Sequence, residues 1–496
     1  MTVPTLAEAL DRAPADHVAL DDGQRTVAYG ELGALLHAER CLLAGYGERH
    51  AVLADNGVAW AIADLALHLE RLPAVPIPGY FTDWQVLHVL DDAGIDCIHT
   101  DDTARLRRVL PRWRIAGTSP QTGLTMFRRP RELEARPALP PGTTKVTYTS
   151  GSTASPKGVC LGADDLETVA ASLAGAAASL GVERHLCLLP LATLLENVGG
   201  VYAPLMSHAT CLLPHSGTTG MSYAGPDVPL LLGCVASSAP GSLILVPELL
   251  KLLVVAAGRG WRAPPTLRFV AVGGASVPLD LLEAAEAAGL PVYEGYGLSE
   301  CASVVTLNTP EGRRRGSAGR PLPHARVRIG DDGQVMVSGV TMRGYLGGEP
   351  REPGAEWATG DLGEFDADGY LHVRGRLRNL YITSYGRNVA PEWVEREIAQ
   401  SPAVRHVMVH GEAKPWAVAL VVPAAPDVPT EAIARAVAAA NRRLPDYAQV
   451  RRWARVEEPF SLANGLLTAN GRLRRRDVAG RHASLIDSLY RDELAG

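Results

Sequence analysis

Segments with a helical period alternate with short apolar runs along most of this 496-residue chain. Residues 31–44 precede HAVLAD, for example, and residues 60–69 precede AVPIP. Because a crossover helix joins parallel strands, this alternation predicts an α/β fold with parallel sheets. We expect ligands to bind at the carboxyl edge of such a sheet. Four later apolar runs that end in Gly or lie beside Pro continue the pattern: HLCLLPL (185–191), SLILVP (242–247), LRFVAVGG (267–274) and PVYEGYG (291–297).

The pattern changes after about Gly319, where short alternating strands are separated by Asp- and Gly-containing turns. This pattern predicts an antiparallel, barrel-like β portion. Beyond Arg378 the predicted order is helix, strand, strand, helix, which indicates a small α+β unit. The chain length also favours more than one domain. We therefore predict a large domain over 1–377, made of stacked α/β sheets and the β portion, and a small C-terminal domain over 378–496.

The amino-acid composition of the chain limits the classes of function that it can have. Hydrophobic residues make up 47% of the chain and charged residues 21%, as in ordinary globular proteins. A net charge of -6 gives no overall attraction for nucleic acid, so a small-molecule partner is favoured. Pro240, Pro247, Glu248 and Lys251 interrupt the most apolar stretch, which argues against a membrane span.

The cysteines and the N-terminal residues indicate in which cellular compartment the protein is expected. The seven cysteines never form a C-x-x-C pair, which argues against both a disulfide framework and a structural zinc site. Asp11, Arg12 and Asp16 break any apolar run near the N-terminus, so no secretory signal is predicted. We expect a cytoplasmic protein, either a monomer or a homodimer.

A loop rich in hydroxyl groups follows a predicted strand at KVTYTSGSTASPKGV (145–159). Hydroxyl groups and the backbone N–H groups that small residues leave accessible suit phosphate oxygens, and Lys157 adds a positive charge. The loop lacks the G-x-x-x-x-G-K-[ST] pattern of a Walker A motif. A solvated Ser/Thr-rich turn is the alternative, although Lys157 is one of only four lysines among 48 basic residues. The candidate phosphate ligands are Thr149, Ser150, Gly151, Ser152, Thr153 and Lys157.

The segment YTSGSTASPKGV resembles the phosphate loop of the adenylate-forming superfamily, which comprises acyl-CoA synthetases, peptide-synthetase adenylation domains and luciferases. Other segments resemble further motifs of that superfamily in the same order. These are VGGASVP (272–278), YEGYGLSE (293–300), WATGDLGEFDADGYLHVRGR (357–376) and NGLLTANGRLRRR (464–476). The last of these is similar to the catalytic loop of the long-chain acyl-CoA synthetase branch.

The resemblance assigns roles to individual residues. It implies that Glu300 holds Mg²⁺, that Ser299 contacts the α-phosphate and that Tyr296 stacks on adenine. It further implies ATP as substrate and a mobile small domain that pivots at Arg378. The remaining nucleotide contacts that it implies are Gly273, Gly274, Ala275, Gly297, Asp361 and Arg376. Without the resemblance, Glu300 is a helix-start carboxylate, Asp361 a turn cap and Arg376 a surface strand end.

Two positions depart from the superfamily pattern. Arg472 stands where the catalytic loop has lysine, and its planar guanidinium approaches oxygen atoms differently from an ammonium. Thr193 stands in LPLATLLENVGG (189–200) where many acyl-CoA synthetases have histidine. We expect Thr193 and Asn197 to line the acid pocket, although a core helix would explain this segment equally well. The arginines after residue 471 contact either CoA phosphates, an acidic carrier protein or solvent.

The expected function is AMP-forming activation of a carboxylic acid, followed by transfer to CoA or to a carrier thiol. ATP and Mg²⁺ are the expected cofactors, with CoA as a candidate co-substrate. Because of the two departures, an enzyme that activates an aryl acid or nitrite without making an acyl-CoA is an alternative. A nucleotide-binding pseudoenzyme, in which Arg472 has ended turnover, is the alternative from another class.

Overall fold

A computed structural model of the chain describes residues 4–130, 136–149, 157–221, 226–275, 277–382, 388–412, 414, 416–468 and 471–490, with backbone only at 149, 378, 382 and 388. A large N-terminal domain of mixed α/β structure precedes a smaller C-terminal domain. The helices are α1 (Leu6–Arg12), α2 (Tyr29–Leu43), α3 (Val58–Leu69), α4 (Asp83–Asp92), α5 (Thr103–Val109), α6 (Ala163–Ala177), α7 (Leu194–Glu196), α8 (Ala203–Met206), α9 (Ser216–Thr219), α10 (Val228–Ser238), α11 (Pro247–Gly258), α12 (Leu279–Ala287), α13 (Pro391–Ala399), α14 (Thr430–Asn441), α15 (Arg475–Arg481) and α16 (Ala483–Ser488).

The strands are short, as expected for α/β units with helices on both sheet faces. They are β1 (Val18–Asp21), β2 (Thr26–Ala28), β3 (His50–Leu53), β4 (Ala74–Pro76), β5 (Cys97–Thr100), β6 (Arg114–Thr118), β7 (Thr125–Arg128), β8 (Lys145–Thr149), β9 (Lys157–Leu161), β10 (Arg184–Leu186), β11 (Thr210–Leu212), β12 (Ser242–Leu245), β13 (Phe269–Val272), β14 (Val292–Leu298), β15 (Ser303–Leu307), β16 (Arg320–Pro321), β17 (Ala325–Ile329), β18 (Gln334–Gly339), β19 (Gly344–Tyr345), β20 (Trp357–Phe365), β21 (Leu371–Arg376), β22 (Tyr381–Ile382), β23 (Asn388–Val389), β24 (Val404–His410), β25 (Ala417–Pro423) and β26 (Val450–Arg455).

Two large sheets form the N-terminal domain. One has nine strands in the order β16-β15-β14-β13-β12-β10-β11-β1-β2, and the other has eight in the order β19-β9-β8-β4-β3-β5-β7-β6. The run β10-β12-β13-β14 is parallel, which confirms the prediction from the four apolar runs. Helix α3 packs in the core that both sheets share and is buried along nearly its whole length. Its sequence, apolar on every side apart from Asp64 and His68, is typical of such a helix.

The antiparallel portion is a four-stranded sheet in the order β17-β18-β20-β21. The register of this sheet sets Asp361 of β20 opposite Arg376 of β21, so two predicted nucleotide contacts are cross-strand partners. Residues directly opposite each other in an antiparallel pair have closely spaced side chains. This sheet thus carries an ion pair between Asp361 and Arg376 close to Tyr296 of β14.

The smaller C-terminal domain has the predicted helix, two strands and helix as α13, β24, β25 and α14. A third strand, β26, pairs in parallel with β25 and was not predicted. The strand β25 is buried along its whole length, because α13 and α14 cover one face of the sheet while the C-terminal segments pack on the other. Among the described residues, no helix is long and apolar enough to cross a membrane.

Candidate functional site

The site forms where β13 and β14 end side by side. Gly273 and Gly274 follow β13, and Gly274 has a φ of 83°, in the left-handed region that favours glycine. A side chain at Gly273 would bring its Cβ to 3.3 Å from the carbonyl oxygen of Gly295 in β14. The small residues therefore let the two strand ends approach closely, while Ala275 remains exposed.

Ser299 and Glu300 lie in a 3₁₀ turn immediately after β14. A Cβ at Gly297 would lie 1.8 Å from the carbonyl oxygen of Ser303, so only glycine fits there. Ala302 and Ser303 follow with φ values of 55° and 107°, although neither is glycine. Such backbone strain concentrates at functional positions, where the surrounding structure maintains it. Here the antiparallel pairing of β14 with β15, which shifts register at Tyr296 and Gly297, holds the turn.

Glu300 is connected to Lys157 through Tyr345. The Tyr345 hydroxyl donates a 2.9 Å hydrogen bond to Oε1 of Glu300. The Lys157 ammonium lies 5.6 Å from the centre of the Tyr345 ring, within the range of a cation–π contact. Because β19 pairs with β9, Lys157 and the Glu300 carboxylate, which follows β14, both contact one tyrosine. Tyr345 was missed in the sequence, since no motif marks it and its role depends on this pairing.

Tyr296, Asp361 and Arg376 form a second connected group. The Tyr296 hydroxyl donates to Oδ2 of Asp361 at 2.7 Å, and Nε of Arg376 lies 2.6 Å from Oδ1. Burial raises the pKa of Asp361, against the lowering effect of the Arg376 charge and of the Tyr296 hydrogen bond. Each carboxylate oxygen retains accepting capacity beyond these contacts. The predicted ribose ligand is thus a buried, oriented carboxylate.

Arg472 brings the C-terminal loop to this group. Its Nε and Nη2 both donate to the carbonyl oxygen of Gly274, at 2.9 and 2.6 Å. Burial is the main cause that lowers the pKa of Arg472, and the nearby Arg376 charge lowers it further. The Asp361 charge raises it. A guanidinium remains protonated under such conditions. The structure therefore sets the cation of the small domain beside the β13 and β14 strand ends.

The rest of the predicted phosphate loop lies mostly outside the described residues. Ser150, Gly151, Ser152 and Thr153 fall there, and of Thr149 only the backbone is described, paired with Lys157 across β8 and β9. The Lys157 side chain is exposed. Arg378 lies in a 3₁₀ turn after β21, with its side chain outside the described atoms. Their assigned roles stay predictions.

The two acid-pocket candidates have other contacts. The Thr193 hydroxyl donates to the carbonyl oxygen of Pro190 at 2.7 Å, as in a local turn. Asn197 is buried and donates from Nδ2 to Oδ2 of Asp64 at 2.9 Å, and its amide oxygen accepts from the Lys145 ammonium. The structure thus sets the Asn197 side chain in a buried polar network around the Asp64–Lys145 ion pair rather than in an open pocket, because a buried ion pair needs further hydrogen bonds to its remaining donors and acceptors.

The arginines of the C-terminal segment do not form one uniform surface. Arg475 is paired with Glu395 inside the small domain, through Nη1 to Oε1 at 2.6 Å. Arg481 is paired with Glu458 at 3.0 Å. Of these arginines, Arg472 is the one that contacts the large domain in the described structure. Arg472, Arg475 and Arg481 thus have different partners, and contact of the remaining arginines with CoA phosphates, a carrier protein or solvent stays a prediction.

Comparisons with known proteins identify the family of both domains. The family model "AMP-binding enzyme" matches residues 6–347, and "AMP-binding enzyme C-terminal domain" matches residues 379–494. The long-chain-fatty-acid–CoA ligase FadD15 of Mycobacterium bovis is 29% identical over 546 residues, covering 90% of this chain and 88% of its own length.

Two solved structures share the fold. The anthranilate CoA ligase AuaEII, solved with anthranoyl-AMP, has a TM-score of 0.80 at 20% identity and covers 99% of each chain. O-succinylbenzoate coenzyme A synthetase from Bacillus subtilis, solved with ATP and magnesium ion, has a TM-score of 0.74 at 25% identity, with 95% of this chain and 98% of that chain covered. With the family model matched over most of the large domain, the chain belongs to the AMP-binding enzyme family.

Proposed function

We propose that this protein is an AMP-forming ligase that activates a carboxylic acid with ATP and transfers the acyl group to CoA. The observation that carries the proposal is the contact of Arg472 with the Gly274 carbonyl oxygen. It joins the C-terminal loop to the end of β13, next to Tyr296 of β14 and the turn with Ser299 and Glu300. Three motifs that are far apart in the sequence thereby meet, and the hydrogen bond from Tyr296 to Asp361 adds a fourth.

The residues present fit a nucleotide and a magnesium ion. Glu300 offers a half-buried carboxylate, a hard oxygen ligand of the kind that Mg²⁺ prefers. One of its oxygens is fixed by Tyr345, which leaves the other for the ion. Asp361 would accept hydrogen bonds from ribose hydroxyls, and the Tyr296 ring would lie against adenine. A bound Mg²⁺ would offset negative charge on the phosphate oxygens.

The side chains of the site suit the charge that develops during adenylation. Carboxylate attack at the α-phosphate and departure of pyrophosphate place negative charge on phosphate oxygens, and fixed donors stabilise it. Lys157 supplies a mobile cation from one side, and Arg472 supplies one from the small domain. The Ser299 hydroxyl is the donor on the strand end. No protein nucleophile takes part in this chemistry.

The identity of the acid rests on the relatives. FadD15 is a long-chain-fatty-acid–CoA ligase, and the two structural neighbours are an anthranilate CoA ligase and an o-succinylbenzoate coenzyme A synthetase. A fatty or aryl carboxylic acid is therefore the proposed substrate class. We further propose that the domains divide at Arg378, between residues 1–377 and 378–496, and that the small domain moves there between the two half-reactions.

Acid-dependent release of pyrophosphate from ATP tests the proposal. Fatty acids of graded length, aryl acids and nitrite are each assayed with and without CoA, and Glu300→Gln is the matched inactive control. We expect release with one carboxylic acid class and formation of its CoA thioester. Release with an acid or nitrite but no use of CoA would favour the alternative enzyme, and no release with any substrate would favour the pseudoenzyme.

A further inference from the structure

Three side chains of types that can bind metal ions meet in the core of the large domain, apart from the proposed nucleotide site. His185 belongs to β10, Cys187 directly follows that strand, and Glu196 ends α7. The candidate ligand atoms of the three lie within 4.8 Å of one another, and all three residues are buried. His185 and Cys187 lie two residues apart, a spacing that directs strand side chains to the same face. The chain therefore brings them together by ordinary strand and helix geometry.

The ligand atoms converge on Gly200 in the π-helical turn Asn197–Tyr202. A Cβ there would lie 2.9 Å from Sγ of Cys187, 3.0 Å from Oε1 of Glu196 and 3.1 Å from Nε2 of His185. A side chain at residue 200 would thus press on all three atoms at once. The bare glycine leaves them facing one small space, and π-helical turns are frequent at functional sites.

The ligand atoms of Glu196 and His185 lack hydrogen-bond partners. Glu196 is 0% exposed, and neither carboxylate oxygen makes a well-formed hydrogen bond to a described residue. The Cys187 thiol and the Leu188 N–H lie near the carboxylate and counter the rise in its pKa that burial causes. Nε2 of His185 is equally unpartnered and lies 3.7 Å from Oε1 of Glu196, too far for a hydrogen bond. Leaving buried polar atoms unpaired destabilises a fold, and more so when a group is charged. A bound cation would satisfy all of them.

The orientation of the imidazole fits a metal ligand. Nδ1 of His185 lies 2.7 Å from the Ser242 hydroxyl oxygen. Histidines that bind metals commonly donate their other ring N–H to an oxygen, which fixes the ring and leaves a lone pair for the ion. With Nδ1–H donating to Ser242, the lone pair of Nε2 points toward Glu196 and Cys187.

A second buried group of the same residue types provides a contrast. His50, Cys97 and His99 also lie within 4.8 Å of one another. In that group Nδ1 of His50 lies 3.0 Å from Nε2 of His99, and Nε2 of His50 lies 3.3 Å from the Gly47 carbonyl oxygen. Two neutral imidazoles satisfy both contacts, because His99 donates to His50 and His50 donates to Gly47. Only Nδ1 of His99, a neutral acceptor in this arrangement, lacks a partner among the described residues. The group at Glu196 differs because it contains a buried carboxylate with neither oxygen in a well-formed hydrogen bond.

We propose that His185, Cys187 and Glu196 bind a structural Zn²⁺ ion in the core of the large domain. Two zinc bonds of about 2.0–2.1 Å to N and O hold those atoms about 3.3–3.6 Å apart, close to the observed separation. Nε2 of His185, Sγ of Cys187 and Oε1 of Glu196 are three ligands, and Oε2 of Glu196 completes the set. A thiolate and a carboxylate balance the charge of Zn²⁺, which a fully buried site requires. The Cys187 thiol loses its proton to solvent on binding. The missing C-x-x-C pairs therefore exclude only zinc sites of that pattern.

The metal content of the full-length protein tests the proposal without reference to its activity. Protein from zinc-supplemented culture is dialysed against EDTA, analysed by inductively coupled plasma mass spectrometry, and then unfolded with a chromogenic zinc chelator present. We expect about one Zn²⁺ per chain that is released only on unfolding. Refolding with Co²⁺ in place of Zn²⁺ should give a near-ultraviolet thiolate-to-cobalt absorption band.

Variants assign the ion to this group. Glu196→Gln and Cys187→Ser should retain less than a tenth of the zinc, and Cys187→Ser should lack the cobalt band. Cys97→Ser and His99→Gln, in the contrasting group, should retain all of it. Wild type that holds no stoichiometric metal after expression and after refolding with Zn²⁺ would overturn the proposal, whether or not the variants fold. An uncharged Glu196 beside His185 would then be the correct description, and Glu196→Gln would be as stable as wild type.

Discussion

The Tyr345 hydroxyl donates a 2.9 Å hydrogen bond to Oε1 of Glu300, a residue 45 positions earlier in the chain. Tyr345 also carries the Lys157 ammonium over its ring. One side chain thus orients the proposed magnesium ligand and contacts the proposed phosphate cation. We regard Tyr345 as a positioning residue, since it acts through Glu300.

Tyr345→Phe should raise the Mg²⁺ concentration needed for half-maximal adenylation about 10-fold. The change removes one hydrogen bond to a charged acceptor, which contributes roughly 1.5 kcal/mol or more, while the ring remains under Lys157. Titration of Mg²⁺ against the initial rate measures the shift. Tyr29→Phe, which removes a hydroxyl that donates to the Ala209 carbonyl oxygen far from the site, is the control. Equal magnesium dependence in both variants would show that the contact has only a structural role.

Lys157→Ala should lower kcat/KM for ATP about 10²-fold and leave the melting temperature near that of wild type. The side chain is exposed, so its loss should cost little packing, and in the proposed site it removes a positive charge from the phosphates. Steady-state kinetics with varied ATP, together with thermal unfolding, provide the two values. The control is Lys414→Ala. It removes another lysine whose ammonium lies over a tyrosine ring, 4.8 Å from the centre of the Tyr490 ring in the small domain. Normal ATP kinetics in Lys157→Ala would remove Lys157 from the phosphate site.

Arg472→Ala should slow adenylate formation about 10² to 10³-fold, the usual cost of losing one fixed donor to the transition state. Transfer from a chemically prepared acyl-adenylate to CoA should stay near the wild-type rate, because the loop is proposed to act only in the first step. Single-turnover assays of each half-reaction separate the two. Arg481→Ala, whose guanidinium pairs with Glu458 instead, should leave both rates unchanged.

Arg472→Lys tests whether the pocket has adapted to guanidinium. The present contact uses two nitrogens on one carbonyl oxygen, which an ammonium cannot reproduce. We therefore expect partial recovery only. Full recovery would mean that the site still accepts the lysine geometry of the superfamily, and a wild-type rate in Arg472→Ala would strengthen the pseudoenzyme alternative.

The sequence predicted what depends on local pattern. The parallel strands, the antiparallel portion and the helices of the small domain follow from periodicity, and the paired Asp361 and Arg376 lie within one motif. Contacts between distant segments escaped prediction. Lys145 is one of the four lysines, yet its partner Asp64 lies 81 residues earlier on α3, and no sequence pattern connects the two. For the same reason the role of Tyr345 was not predicted. Asn197 was expected in the acid pocket, whereas its side chain contacts Asp64 and Lys145.

Asp64→Asn or Lys145→Met should each lower the free energy of unfolding of the large domain by about 3–5 kcal/mol. The two charges are each 1% exposed and 2.8 Å apart, so removal of one leaves the other buried without its counter-charge. Urea titration measures the loss. The double change Asp64→Leu with Lys145→Met should recover part of it. Arg71→Met breaks an ion pair whose side chains are 57% and 66% exposed, and should cost about 0–1 kcal/mol.

Glu294→Gln should remove a pH dependence of stability between about pH 4.5 and pH 8. Burial raises the pKa of Glu294 from 4.5 to about 8, despite the hydrogen bond that its Oε2 accepts from the Gly316 N–H and the nearby Arg396 charge. In this window the folded state keeps the proton and the unfolded state loses it. Stability therefore falls as pH rises, by at most about 1.4 kcal/mol per pH unit, and levels off near pH 8.

Urea titrations of wild type and Glu294→Gln at pH 5, 6, 7 and 8 measure this effect as the difference between two curves. We expect the variant to gain stability relative to wild type with each step, because glutamine is neutral in both states. Glu283→Gln, on an exposed glutamate of α12, controls for the loss of one negative charge from the large domain. If wild type and Glu294→Gln give parallel curves, Glu294 is ionised in the folded protein and Arg396 and the Gly316 N–H outweigh the effect of burial.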